Sequence, residues 1–304
     1  MQIAVGGALV GVVALLALVA LVWTPYDPSG LNVPERLQGP SLGHWLGTDY
    51  LGRDTMSMVM SGGSSSLGTA VSAVLLGTLA GVPVGLAAAM GGHWTDTLCR
   101  GAIDLVFAFP VVLTGLVLLA LYGPGSINAV VAIAVFDASV LARVTRNAAR
   151  GVLAQDYVRA ARAIGRGPVG LAWLHVLPNI RGTLLIQSTV LLAVGVLAEA
   201  GLTYLGVGAQ LPQPTWGKML FDARVLMQLY PAQAIVPGAA IALSVLGFNL
   251  LGDGLRDRLD PRLAGSRRRR GRTVDGVQDD PAVAAVIASD LALDDGLEGI
   301  SERR

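Results

Sequence analysis

Charged residues are scarce in this sequence, and aromatic residues scarcer still. Asp, Glu, Lys and Arg together make up 14% of the 304 residues and Phe, Trp and Tyr 5%, against 53% hydrophobic residues and a mean hydropathy of +0.61. A soluble domain carries about 25% charged residues. So much apolar surface would lack a polar shell in water, which makes lipid the expected solvent. One cysteine, Cys99, excludes an internal disulfide and any multi-cysteine metal site. It reads as a small residue at a helix end.

Several chemical signatures are missing as well. No G-x-x-x-x-G-K-[ST] occurs anywhere in the chain, so the usual cradle for nucleotide phosphates is lacking and the chain is not expected to hydrolyse ATP. Gly165, Gly167 and Gly170 spell a formal G-x-G-x-x-G, but no buried strand precedes it and Pro168 interrupts it, which excludes the strand–turn–helix context that dinucleotide binding needs. His44, His93 and His175 fall in separate segments without ligand spacing, and His93 with Asp96 reads as a solvated loop turn. Ser64, Ser65 and Ser66 have no adjacent histidine to act as base. Within the apolar runs the ionisable residues are few, namely Asp104, Asp137 and Glu199, and none has an obvious basic partner. A proton-coupled carrier would show a relay of such groups. Their scarcity points to energy supplied from elsewhere.

What the sequence does have is long apolar runs, at roughly 3–23, 66–90, 102–122, 126–141, 184–206 and 233–252. About 20 apolar residues cross a hydrocarbon core, so the expected fold is an all-α polytopic membrane protein with about six transmembrane helices. Only Met1 and Gln2 precede the first run, which argues against a cleaved signal peptide with its basic leader. This run is expected to be a retained helix, and a translation start upstream of Met1 would supply the basic leader that normally fixes such a helix's orientation. Tyr122-Gly123-Pro124-Gly125 reads as a tight turn between two antiparallel helices. Gly77, Gly81 and Gly85 line one face of the second helix, where small residues allow close packing in lipid, and Pro83 is expected to bend it.

Orientation follows from the arginines, since short basic loops stay in the cytoplasm. The segment after the fourth run holds Arg143, Arg146, Arg150, Arg159, Arg162, Arg166 and Arg181 against one acid, Asp156. That segment is expected inside. An even number of crossings then puts both termini inside, in agreement with Arg256, Arg258 and Arg262, and leaves 24–65 and 207–232 outside. Three regions result: an N-terminal helix with its outer loop (1–65), a transmembrane domain (66–253) and a cytoplasmic tail (254–304), basic at Arg267–Arg270 and acidic beyond. The tail is expected to be largely disordered, with a short helix at 281–292, and its basic run could form a collar on anionic lipid.

The basic inner segment has a shape of its own. Asp156 to Ile164 suits a short helix, Gly165 can end it at positive φ, and Gly167-Pro168 can start another that runs to Leu177-Pro178, where the chain is expected to stop and turn into the fifth helix. Small Ala160 and Ala161 would let another protein approach closely. A bare membrane anchor needs no such helix–glycine–helix element.

Here the residues resemble a family. Tyr157-Val158-Arg159-Ala160-Ala161-Arg162-Ala163-Ile164-Gly165, followed by Leu177-Pro178-Asn179, is similar to the Glu-Ala-Ala loop of permeases in binding-protein-dependent ATP-binding-cassette importers. His44-Trp45-Leu46-Gly47-Thr48-Asp49 with Leu51-Gly52-Arg53-Asp54 resembles the signature after the first helix in its dipeptide, oligopeptide and nickel branch. Leu205–Gly208, Pro214–Leu220 and Asn249–Arg262 resemble the same branch, so that the likeness spans about 44–263. It departs at Arg159, where the family has Glu.

The resemblance implies a permease subunit that forms a translocation path together with a second permease subunit. Two cytoplasmic ATP-binding-cassette ATPase subunits would bind the ATP, an extracytoplasmic substrate-binding protein would dock outside, and lipid would surround the helices. No cofactor of its own, no catalytic or metal site and no nucleic acid are expected, and the location implied is the bacterial inner membrane. Arg159, Ala160, Ala161, Gly165, His175, Leu177 and Pro178 would form the ATPase-coupling loop, placed at about 143–183. Gly47, Asp49, Gly52, Arg53, Asp54, Trp216 and Gly217 would either meet the binding protein or build the outer turns. Di- and oligopeptides are the expected cargo. Nickel or another small solute is the alternative within the family, and a secondary carrier not driven by ATP the alternative from another class.

Overall fold

A computed structural model describes residues 2–210 and 212–259, and the expectations for the tail beyond 259 lie outside the described residues. The compact unit Met1–Arg256 is a bundle of helices. In chain order these are α1 (Gln2–Val19), α2 (Thr55–Met90), α3 (His93–Ala108), α4 (Val111–Tyr122), α5 (Ser126–Leu153), α6 (Asp156–Ala163), α7 (Pro168–Leu171), α8 (Leu177–Tyr204), α9 (Trp216–Ala223) and α10 (Ala232–Leu259). Among the described residues the extended structure is a single bridge between Thr48 and Asp54.

Among the described residues five helices are long and apolar enough to cross a membrane, or six if α3 and α4, which meet at a bend of 79°, are counted as one broken span. The third apolar run, roughly 102–122, is expected from the sequence as one transmembrane helix. It breaks at Phe109-Pro110, where proline disfavours helical backbone in the residue before it, and Phe109 is extended at φ −103°, ψ 114°. The bent pair does cross the bundle, since Gly125 just after α4 donates its N–H to the Val207 carbonyl at 3.1 Å, beyond the far end of α8.

Three boundaries differ from the apolar runs. α2 starts at Thr55 rather than 66, because the Asp54 carboxylate accepts from the Ser57 N–H at 2.8 Å and caps it, so Ser64–Ser66 lie on a helix. α5 runs to Leu153, well past the expected end at 141, and Arg143, Arg146 and Arg150 sit on a helix rather than a loop. Leu177-Pro178 does not stop the chain. Ala172–Val176 form a π-turn in which the Leu177 N–H bonds the Ala172 carbonyl, five residues back. The wider turn accommodates Pro178, and α7 continues into α8 as one helical stretch, Pro168–Tyr204. The segment that projects from the bundle is therefore 154–176, shorter than 143–183.

The core lies where α2, α5 and α8 meet. Gly77 and Gly85 of α2 bring its backbone onto α5, where a Cβ would stand 2.6 Å from the Asp137 Cβ and 2.5 Å from the Ala142 carbonyl. Gly81 between them presses on the Ala138 carbonyl. On the other side of the bundle α1 lies against α10, Gly6 close to Leu251 and Gly254 against Ile3. Residue 2 and the end of α10 thus share one end of the bundle. The start of α10 is at the other end, where the Gln233 amide donates to the Thr48 carbonyl at 2.8 Å.

Candidate functional site

Most of the arginines named above gather at one end of the bundle, and the 154–176 element projects from it. In α6, Val158 and Ala161 turn inward to pack with Leu171 against Met90, Val152 and Leu153. This corrects one expectation: Ala161 is buried and holds the element together, leaving Ala160 as the small residue on the surface. After α6 the chain makes a full Schellman turn. Gly165 adopts φ +89°, its N–H bonds the Arg162 carbonyl at 3.0 Å, and the Arg166 N–H bonds the Ala161 carbonyl at 3.2 Å. Pro168 then opens α7.

The outer surface of the element mixes exposed Arg159, Arg162 and Arg166 with apolar side chains: Tyr157, Val169 and Leu174 are exposed, Ile164 is 84% exposed and Trp173 69%. Arg159 points into solvent with only Asp156 near it, at 3.6 Å, a pair too exposed to hold either side chain in place. The His175 ring lies 6.3 Å from Tyr157, and its backbone carbonyl accepts from the Asn179 amide at 2.6 Å. Leu177 is half-buried beside Ala149 and Ile180, while Pro178 is exposed. The coupling residues expected from sequence thus fall on the 154–176 element and on the first turn of α8, which continues it.

Beside it sits a cluster that the sequence reading missed. Asp96 was placed in a loop; it lies in the first turn of α3, is buried, and receives three guanidinium groups. Arg146 grips it with two hydrogen bonds, at 2.5 and 3.0 Å, and Arg100 and Arg150 each approach to 2.8 Å. Two turns along α3, Asp104 does have a basic partner: Arg143, at 2.9 Å, which also covers the Phe107 ring. The visible signal was spacing, with Asp96, Arg100 and Asp104 four residues apart facing Arg143, Arg146 and Arg150 at helical intervals.

At the opposite end, residues 24–54 fold over the bundle. Asp49 accepts from the Arg53 Nε at 2.7 Å and from its backbone N–H at 2.8 Å, while Asp222, 3.4 Å from Arg53, also holds Lys218 at 2.7 Å. His44 bonds Asp54 at 2.9 Å and stands 3.4 Å from Glu35, and the Asp54 hydrogen bond raises the His44 pKa above its ordinary value. The Trp216 indole donates to the Val59 carbonyl at 3.0 Å, and Gly217 lets α9 settle onto the Ala200 backbone. Gly47 and Gly52 similarly face the backbone of Gln38 and Asn32. Asp49, Arg53, Asp54 and Trp216 are all buried, so these residues build the cap from within. What the cap presents outward is Leu31, Val33, Leu42 and Trp45.

Two buried acids remain inside the bundle. Glu199 accepts from the Thr203 hydroxyl at 2.9 Å, near the N-terminus of α9, whose Trp216 N–H bonds Ser66 at 3.2 Å. Asp137, fully buried against α2, has no hydrogen-bond partner among the described residues. Among those residues, no three His, Cys, Asp or Glu side chains converge in a way that would hold a metal ion.

The likeness to known proteins covers most of this architecture. The family described as "binding-protein-dependent transport system inner membrane component" matches residues 81–265. The chain is 38% identical over 249 residues to the dipeptide transport system permease protein DppC of Alkalihalophilus pseudofirmus, 82% of each chain. It is also 38% identical over 258 residues to the glutathione transport system permease protein GsiD of Pectobacterium atrosepticum, 83% of this chain and 86% of that one. Among solved structures, the MetNI methionine ABC transporter in its inward-facing conformation shares the fold, with a TM-score of 0.52 at 18% identity over 63% of this chain and 92% of that one. The chain belongs to the inner membrane components of binding-protein-dependent transport systems and is a permease subunit of an ABC importer.

Proposed function

We propose that this permease serves an importer of short peptides, with its arginine-rich end in the cytoplasm and the 154–176 element seated on an ATPase subunit. The observation that carries this reading is the continuity of that element with α8. A glycine-capped hairpin with exposed apolar side chains is fused, through the π-turn, to a helix that spans the bundle. Pro168–Tyr204 is 37 residues, a rod of about 55 Å at 1.5 Å per residue. Its far end turns at Gly206 toward α9 and the cap. Displacement of the hairpin when two ATPases close on ATP would therefore be delivered to the opposite mouth of the path, as a rigid-body tilt of one packed element.

The remaining partners belong to the same proposal: a second permease completing the path, two ATPase chains, a binding protein meeting the cap at exposed Leu42 and Trp45, and lipid around the helices. Peptide cargo is supported by relatives named for dipeptide, glutathione and peptide transport. The test is reconstitution of both permeases, both ATPases and the binding protein in liposomes, with labelled dipeptide, glutathione and nickel offered in turn. ATP-dependent uptake of a peptide, abolished by leaving out the ATPases, is expected. Uptake by the permeases alone on a proton or sodium gradient would overturn the reading, and nickel uptake without peptide uptake would overturn the cargo.

A further inference from the structure

Three guanidinium groups converge on the single carboxylate of Asp96, which leaves two positive charges uncompensated at one place. Their burial is uneven. The Arg146 side chain is 12% exposed and spends its strongest hydrogen bonds on Asp96, whereas Arg100 and Arg150 are 49% and 48% exposed and each gives the carboxylate only one close contact. A guanidinium has five N–H donors in a planar fork suited to carboxylate or phosphate oxygens. Beyond Asp96, the Arg100 Nε reaches the Asp96 backbone carbonyl at 3.4 Å, and Arg150 has no other acceptor among the described residues. Asp96 therefore sets two half-exposed forks on neighbouring helices, α3 and α5, around one point.

The surroundings indicate what the forks would meet. α3 turns Ile103 and Phe107 toward the bundle, Phe107 against Phe136 of α5, while Trp94, Leu98 and Leu105 are exposed along its other face. Such a stripe in a membrane protein faces acyl chains. Trp94 stands in the first turn of α3, a residue type suited to the headgroup level. The polar cluster lies where the apolar part of α5 ends, one turn past the Arg143–Asp104 pair. We propose that Arg100 and Arg150, fixed by Asp96, bind the phosphate of an anionic phospholipid whose acyl chains run along the exposed face of α3. Basic pockets between membrane helices on the cytoplasmic side take anionic headgroups. A zwitterionic lipid would bring its own ammonium group against the forks and bind less well. The site is separate from the 154–176 hairpin, so its failure would leave the coupling reading intact.

The test uses the assembled importer, delipidated in neutral detergent and titrated with short-chain phosphatidylglycerol, with occupancy read by native mass spectrometry. Saturable binding is expected, with phosphatidylcholine of the same chain length far weaker. Arg100→Gln with Arg150→Gln should weaken phosphatidylglycerol by about tenfold or more. That variant keeps the Arg146–Asp96 pair that holds α3 to α5, and a monodisperse complex on size exclusion confirms its fold. Arg100→Lys with Arg150→Lys should recover part of the loss. Arg166→Gln, which removes an exposed arginine of the hairpin, should change nothing. Equal occupancy in the double Gln variant, as would follow if the second permease covers α3, would overturn the proposal. So would an equal effect of Arg166→Gln, or displacement of the lipid by sodium phosphate at matching concentration.

Discussion

Gly165 owes its identity to its backbone and not to its neighbours. A Cβ built there would meet nothing within 4 Å, yet φ is +89°. An L-residue in left-handed backbone costs about 1–2 kcal/mol, and Asn tolerates that region far better than a β-branched residue. Gly165→Val should therefore unwind the Schellman turn and misplace the exposed side chains of the hairpin, while Gly165→Asn should keep it. In the reconstituted importer, Val is expected to lower peptide uptake per ATP hydrolysed several-fold and Asn to stay near the original. Full coupling in the Val variant would remove the hairpin from the transmission path. This residue was legible in the sequence because a helix end followed by Gly-x-Gly-Pro has few other solutions. Ala161 was not, since the sequence shows it as small but not which way a helix of eight residues faces. Asp137 is visible in the sequence as an acid in an apolar run, but its isolation becomes clear only from the packing of α2, whose Gly77 presses against it.

The elements were legible to the extent that the bilayer dictates them. Apolar runs mark where lipid begins and ends, whereas helices end where their caps lie. That is why α2 gains eleven residues beyond the expected start at 66 and α5 twelve beyond the expected end at 141. The added turns of α5 carry the arginines that hold α3, so charges that look like free loop charge in the sequence make a contact between two helices. The glycine stripe of α2, by contrast, does what its spacing implies. Packing there is tight enough to discriminate among glycines of the same helix. At Gly81 a Cβ would collide with the Ala138 backbone, which cannot swing aside, whereas at Gly68 it would meet nothing within 4 Å. Gly81→Ala is expected to force α2 from α5 and cost about 1–3 kcal/mol. Gly68→Ala should be neutral or slightly favourable, as alanine is the better helix former. Thermal unfolding in detergent separates the two. Equal midpoints for both variants would show that the α2–α5 contact yields readily.

For the whole molecule, the unequal treatment of charge at its two ends bears on orientation. At the cap end two of the four cations are paired, Arg53 between Asp49 and Asp222 and Lys218 with Asp222, while Arg36 and Arg224 have no ion pair among the described residues. At the other end Arg159, Arg162, Arg166 and Arg181 stand exposed on or beside the hairpin, and the Asp96 cluster keeps two charges in excess. Excess Lys and Arg in short segments is retained in the cytoplasm, and because Ile3 lies against Gly254 at one end of the bundle, the proposed orientation would put both of these residues on that side. Cys99 is the only native thiol, so a Cys99→Ser background allows a clean test by labelling. Leu42→Cys, at a fully exposed cap position, and Ile164→Cys, 84% exposed on the hairpin, place one thiol at each end. A membrane-impermeant maleimide applied to intact spheroplasts is expected to label residue 42 at once and residue 164 only after the membrane is permeabilised. The opposite pattern would turn the molecule over, putting the hairpin out of reach of any ATPase and leaving the cap facing the cytoplasm.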